Sequence, residues 1–368
     1  MRPDVPKEVR AGVSLSLSGA LGLQGEQALN GLRLWVEYVR GEGGLPLGPA
    51  GSRLPLRLLA LDDRSQAKLA KENVLRLLTH DHVDLLIGPY SSGLTLAVAP
   101  FAAAHGKILW NHGGASDAIF RQGWRHLVSV PSPASDYFRA LPLWVKQQDP
   151  EASRISILYA KTGSFAEQVA HGVAEGARAA SFDLIRLTSF DSPIRSVRAV
   201  FSEALEPEPD LVVGLGSFQD DIAIVRQRKL FAGVRSLAVV AAGLAAFHME
   251  LGDLADGVIG PSQWEPGVCE EPRSGPDSAW FYSAFERTFH RVPDYPAAQA
   301  FALGVVLTDC LRRAASLGDE SLLRAAHALE TTTLYGGFRL DPLTSRQIGH
   351  RVLLVQWRDG RKVVISGR

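Results

Sequence analysis

Hydrophobic positions alternate between two periods along this chain. Short runs rich in Val, Ile and Leu occur at 9–17, 54–60, 83–88, 107–110, 154–159, 183–187, 211–215, 236–241 and 257–260. Near-continuous apolar runs of this length predict strands buried on both faces. Between them the apolar positions fall three and four apart, over 26–40, 66–79, 94–105, 134–148, 165–179, 197–205 and 222–231. That spacing predicts helices with one buried stripe. Strands alternating with such helices form βαβ units, and these build parallel sheets with helices on both faces. After residue 260 the rhythm changes. Helical stretches follow in succession at 278–290, 297–317 and 321–331, before strand patterns at 337, 351–357 and 362–365.

At 368 residues the chain exceeds the roughly 250–300 residues at which a single core stops growing, so two lobes are expected. Lys plus Arg equals Asp plus Glu, at 39 each, so net charge draws the chain neither to nucleic acid nor to an anionic membrane. No apolar run approaches the roughly 18 residues of a membrane helix. The first ten residues, MRPDVPKEVR, are polar and lack the apolar stretch of a signal peptide. This leaves two readings open: a cytoplasmic protein, or a mature form whose leader is outside the numbering. Cys269 and Cys310 either pair or stay as buried thiols.

Motifs for catalysis and cofactors are missing. The chain has no Gly-x-Ser-x-Gly elbow, no His-Glu-x-x-His, no Cys-x-x-Cys and no phosphate-binding Gly-x-x-x-x-Gly-Lys run. Gly214-Leu215-Gly216 follows a strand pattern, but Gln219 stands where a dinucleotide fingerprint needs its third glycine. No enzyme activity, metal or cofactor is expected.

Four stretches carry a family resemblance: AGVSLSLSGALGLQGEQALNG at 11–31, IGPYSSGLTLAVAPFAAAHGKILWNHGGAS at 87–116, ILYAKTGSFAEQ at 157–168, and GVIGPSQWEP at 257–266 followed by YPAAQAF. In this order and spacing the chain resembles the type I periplasmic solute-binding proteins, specifically the leucine/isoleucine/valine-binding group of branched-chain amino acid ABC transporters. The resemblance implies an α/β fold of two doubly wound parallel-sheet lobes joined by three crossing strands. Lobe one would be 1–130 and 261–334, lobe two 131–260 and 335–368, with the ligand cleft between them. It implies a monomer or weak dimer that closes over a small organic ligand and docks on a separate membrane permease. A second reading is a cytoplasmic amide or amino-acid sensor regulating a partner protein.

Candidate ligand residues follow. Ser92 sits where a helix begins, so it suits an N-cap, and free N–H groups there attract an anionic oxygen; the matching serine of the family contacts ligand. Gly114, Ala115 and Ser116 follow a strand pattern, and small residues let backbone approach a ligand. Tyr90, Asn111 and His112 crowd the same rim, while Trp110 is expected in the core. The resemblance places Gln24 where an aromatic residue often covers the ligand. It also places Phe165 and Phe218 at aromatic positions of lobe two, and Trp264 lies on the second crossing. Amino-acid binders of the family hold the ligand ammonium with an acid that here is replaced by Ala241-Ala242-Gly243-Leu244. Asp220 and Asp221 are expected to cap the helix after Phe218. An unpaired buried ammonium costs several kcal/mol, so the expected ligand has a carboxylate or amide head, an apolar or aromatic body and no required α-amino group.

Overall fold

The computed structural model describes residues 7–47, 52–206, 208–231, 233–268 and 271–366. Cys269 lies outside them. The chain divides into two compact units, Met1–Ser132 with Pro266–His350, and Pro133–Glu265 with Arg351–Arg368.

The first segment supplies strand β1 (Val9–Leu15), helix α1 (Gly22–Gly41), the short antiparallel pair β2 (Leu45–Pro46) and β3 (Arg53–Leu54), β4 (Leu56–Asp62) and α2 (Ala67–Thr79). It continues with β5 (Leu85–Ile87), α3 (Ser92–Ala104), β6 (Leu109–Asn111), α4 (Asp117–Phe120) and β7 (Leu127–Ser129). The second segment holds α5 (Leu141–Gln148), β8 (Arg154–Ala160), α6 (Phe165–Ala179), β9 (Leu184–Phe190), α7 (Val197–Leu205), β10 (Leu211–Leu215), α8 (Phe218–Arg226), β11 (Ser236–Val239), α9 (Ala245–Leu251) and β12 (Ile259–Ser262). The chain then returns to the first unit for α10 (Ser278–Phe289), α11 (Tyr295–Ala314), α12 (Asp319–His327) and the hairpin β13 (Thr331–Thr333) with β14 (Gly336–Phe338). The strands β15 (Leu353–Arg358) and β16 (Arg361–Ser366) complete the second unit.

The five-stranded sheet of unit one runs β4-β1-β5-β6-β7, all parallel. In unit two the order is β16-β15-β12-β11-β10-β8-β9. Its five parallel strands repeat the same topology, and β15 and β16 extend the edge in antiparallel register. In each unit the second parallel strand lies outside the first and the third lies on its other side, so the order reverses there. Crossover loops diverge at such a point and open a crevice at the carboxyl ends of the strands. The crevices fall between β1 and β5 in unit one and between β8 and β10 in unit two.

Burial follows the apolar runs. Val9, Ala11, Val13 and Leu15 of β1 are inaccessible, and so is Ser14 on the opposite face. Helix α11 packs along α1 with backbones in close approach. A Cβ on Gly304 would stand 2.2 Å from the Trp35 indole, whose Nε1 donates to Thr308 Oγ1 at 3.1 Å. Side chains larger than hydrogen therefore do not fit there.

Three local expectations are corrected. The helix expected at 134–148 is a 3-10 turn, Ala134–Asp136, then α5; Pro142 in the first turn of α5 presets its start. The helix expected to start at residue 222 starts at Phe218, because Ser217 and Asp220 form a reciprocal capping box. The boundary expected between 334 and 335 would cut the β13–β14 hairpin, and the units divide instead at His350. The intervening segment is tied into unit one: Tyr335 donates to Gln299 at 3.4 Å, Gln347 Nε2 to the Val130 carbonyl at 3.1 Å, and Ser132 Oγ lies 2.7 Å from His350 Nδ1.

Candidate functional site

The unit-one crevice is bordered by the loop from β1 to α1 and by the loop from β5 to α3. Gln24 stands in the first turn of α1, Tyr90 on the second loop, and Ser92 is the first residue of α3. Asn111, His112 and the turn to Ser116 leave the next strand, β6. The topology thus gathers all the unit-one candidates at one edge of the sheet.

Their chemistry differs from the expectation in three respects. Ser91, not Ser92, caps α3, accepting from Leu94 N at 3.3 Å. Ser92 is the first helical residue, and its buried hydroxyl oxygen accepts from Ala115 N at 3.1 Å and Ser116 N at 2.9 Å. The amides expected to hold a ligand are therefore paired within the protein. Two accepted hydrogen bonds fix the Ser92 oxygen, while a hydroxyl keeps one O–H donor. Secondly, Asn111 is committed to the turn. Its Nδ2 donates to the Gly114 carbonyl and to Ser129 Oγ, both at 2.7 Å, and its Oδ1 accepts from Gly113 N and Gly114 N. Both amide hydrogens and the carbonyl oxygen are used, so Asn111 shapes the site rather than touching a ligand. Thirdly, the glycines make room for protein rather than for a ligand. A Cβ on Gly113 would stand 2.8 Å from Tyr90 Cα, and one on Gly114 2.5 Å from Thr95 Oγ1.

Ser91 has φ +108°, a conformation costly for a residue with a Cβ, of order 1–3 kcal/mol. The carbonyl of Ser91 accepts from Thr95 N and Oγ1, which helps hold the strained turn. Ser116 caps the short helix α4 through Ala118 N at 3.3 Å.

His112 is inaccessible and neither ring nitrogen completes a hydrogen bond. Burial pushes its pKa down to about 4; the Gly88 backbone opposes this more weakly. The ring is therefore neutral near pH 7. Tyr90 packs 6.5 Å from it, centroid to centroid. Burial pushes the Tyr90 phenol up to about 12, and its oxygen lies 3.5 Å from that of Tyr295. Gln24 is buried with Oε1 unpartnered. Trp110 is in the core, as expected.

In unit two, Phe165 and Phe218 are the first helical residues of α6 and α8, at the two sides of the β8/β10 crevice. Both are half-buried. Phe165 meets Tyr137 edge to face, 5.1 Å between centroids, and the Tyr137 oxygen accepts from Gln263 Nε2 at 2.8 Å. Trp264 is buried, its backbone N and O bonded to the Ser262 hydroxyl. Tyr137 lay outside the stretches that carry the resemblance; Gln263 and Tyr295 lay within them, but neither carried a pattern that would have singled it out.

Asp220 caps α8 as expected, but Asp221 does more. Its carboxylate accepts from Gly216 N at 3.0 Å and from Ala241 N at 2.8 Å, joining the loop after β10 to the one after β11. A carboxylate thus reaches the place where the sequence shows none, carried there by a different element. It is fully buried, and burial pushes its pKa up to about 7.

Comparison with known proteins agrees with this architecture. The periplasmic binding protein family model matches residues 8–362. The Leu/Ile/Val-binding protein homolog 8 of Brucella abortus is 23% identical over 97% of this chain and 90% of its own length. The leucine binding protein LivK of Thermotoga maritima superposes with a TM-score of 0.85 at 18% identity, covering 97% of this chain and 98% of that one. An ABC transporter solute binding protein of R. palustris in complex with benzoate superposes with a TM-score of 0.80 at 19% identity, over 97% and 95% of the two chains. With a family model spanning nearly its whole length, this chain belongs to the periplasmic binding protein family.

Proposed function

We propose that this protein is the extracytoplasmic solute-binding component of an ABC importer, that it catalyses no reaction, and that a separate membrane permease is its partner. Its ligand is a small organic molecule with a carboxylate or amide head and an apolar or aromatic body. The head is held by the Ser92 hydroxyl and the first N–H groups of α3, where a helix start favours negative charge. The half-buried rings of Phe165 and Phe218 cover the body. On this reading ligand binding shifts the population toward the form that the permease recognises. The family, and the leucine-binding and benzoate-bound structural neighbours, support the solute-binding role.

One observation carries the choice of ligand. Asp221 is the carboxylate brought to the β11 loop, and it is spent on the Gly216 and Ala241 amides and raised toward neutrality. A ligand ammonium would find no full negative charge there. Isothermal titration with leucine, valine and phenylalanine beside their deaminated acids and amides tests this. The acids or amides are expected to bind at least as tightly as the amino acids; tight binding of the amino acids alone would overturn the assignment.

The aromatic cover gives a second prediction. Phe218→Ala and Phe165→Ala are each expected to weaken an aromatic carboxylate about tenfold or more, since buried aromatic anchors dominate such contacts. Half-buried rings contribute less to folding, so each should change stability by only about 1–2 kcal/mol. Paired titration and urea unfolding separate the two effects.

A further inference from the structure

Buried polar groups are almost always partnered, and an exception calls for a specific cause. Gln24 Oε1 and, apart from a weak contact with the Gly88 backbone, the ring nitrogens of His112 are such exceptions within unit one. Both residues stand at the carboxyl edge of the sheet, His112 following β6 and Gln24 beyond β1, with β5 between them. Neighbouring strands lie about 4.8 Å apart, so each residue is about one strand spacing to one side of the Ser92 loop. A ligand head seated at Ser92 would bring its body within reach of either.

We infer that His112 and Gln24 determine specificity by reading a neutral hydrogen-bonding group, a hydroxyl or primary amide, on the ligand body. The inference rests on the reading of a ligand head held at Ser92. A neutral imidazole offers one donor and one acceptor, and Gln24 Oε1 offers an acceptor. A hydroxyl or carboxamide complements that set, since each both donates and accepts. A second carboxylate, which only accepts, would find no donor at Gln24 Oε1 and at most one on a neutral imidazole. Tyr90 is already turned to Tyr295, and its ring packs 6.5 Å from that of His112.

The test compares benzoate with 3-hydroxybenzoate, 4-hydroxybenzoate and 4-carbamoylbenzoate by isothermal titration. The wild-type protein is expected to prefer at least one substituted acid to benzoate by about tenfold or more, because a site built to pair a hydroxyl or amide discriminates against its absence. His112→Phe should abolish that preference, read as the ratio of substituted-acid to benzoate affinity in the same protein. His112→Gln, which retains a donor and an acceptor, should preserve it, and Gln24→Leu should reduce it. Thermal melts establish that each variant is folded. A preference unchanged in both His112→Phe and Gln24→Leu overturns the inference and assigns the unpartnered atoms to bound water. Benzoate binding without any preference in the wild type overturns it alone, whereas no binding of any of the four overturns it together with the carboxylate reading beneath it.

Discussion

Ser92→Ala is expected to lose about 2–4 kcal/mol of stability in unit one and about a hundredfold or more in ligand affinity. The substitution removes one oxygen yet orphans two donors, the N–H groups of Ala115 and Ser116. All three residues are buried, at 6%, 3% and 0% exposure, so water does not simply take the place of the hydroxyl. Each orphaned buried amide costs about 1–3 kcal/mol. Ser91→Ala is the proper comparison. It removes a helix cap from Leu94 alone, a loss of about 1 kcal/mol, and leaves the Ala115–Ser116 turn paired. Urea unfolding followed by a unit-one fluorophore such as Trp110 ranks the two variants. If Ser92→Ala unfolds no earlier than Ser91→Ala, the serine does not hold the turn. The affinity loss has the same origin. A ligand head would need both the Ser92 proton and the turn geometry that its oxygen fixes, and the alanine variant has neither.

The architecture was legible because it depends on repetition. Alternating apolar strands and amphipathic helices recur often enough that a few misplaced boundaries leave the parallel sheets intact. The strand at Leu127–Ser129 escaped notice because three residues show no period. The placement of the candidate residues was legible to the extent that topology places them: Gln24, Ser92, Phe165 and Phe218 stand beyond the carboxyl ends of β1, β5, β8 and β10. What the sequence did not disclose was hydrogen-bond allocation. Ser91 and Ser92 are adjacent and chemically alike, and only the backbone conformation at Ser91, φ +108°, decides which caps the helix and which turns to Ala115. Asn111 looked like a polar residue on a rim; three-dimensional proximity to Gly114 and Ser129 makes it the turn's own brace. Asp221 lies twenty residues before Ala241, so inspection of the β11 loop alone could not reveal the carboxylate that reaches it.

That carboxylate supplies the second large effect, a change in the pH dependence of stability when Asp221 is replaced by Asn. The folded carboxyl has its pKa raised from 3.8 to about 7, so between those values the folded state holds a proton that the unfolded state has released. The sign follows: Asp221 favours folding least at high pH, and stability falls as pH rises through about 4 to 7, by an amount of order 4 kcal/mol across the window. His112 acts in the opposite direction. Its folded pKa is lowered from 6.5 to about 4, so the unfolded state binds the extra proton and stability rises with pH across about 4 to 6.5, by about 3 kcal/mol. The two slopes largely cancel, and a flat wild-type profile would conceal both. Asp220, with its pKa lowered from 3.8 by hydrogen bonds from Ser192, Ile194 and Ser217 that outweigh burial, loses its contribution only below this window. Asp221→Asn is therefore expected to leave a profile that rises with pH between 4 and 7, and His112→Phe one that falls. Denaturant midpoints at half-unit pH intervals measure both. Parallel profiles for Asp221→Asn and the wild type would mean that Asp221 is charged in the folded protein at pH 5, and the argument that its charge is unavailable to a ligand ammonium would fail with it.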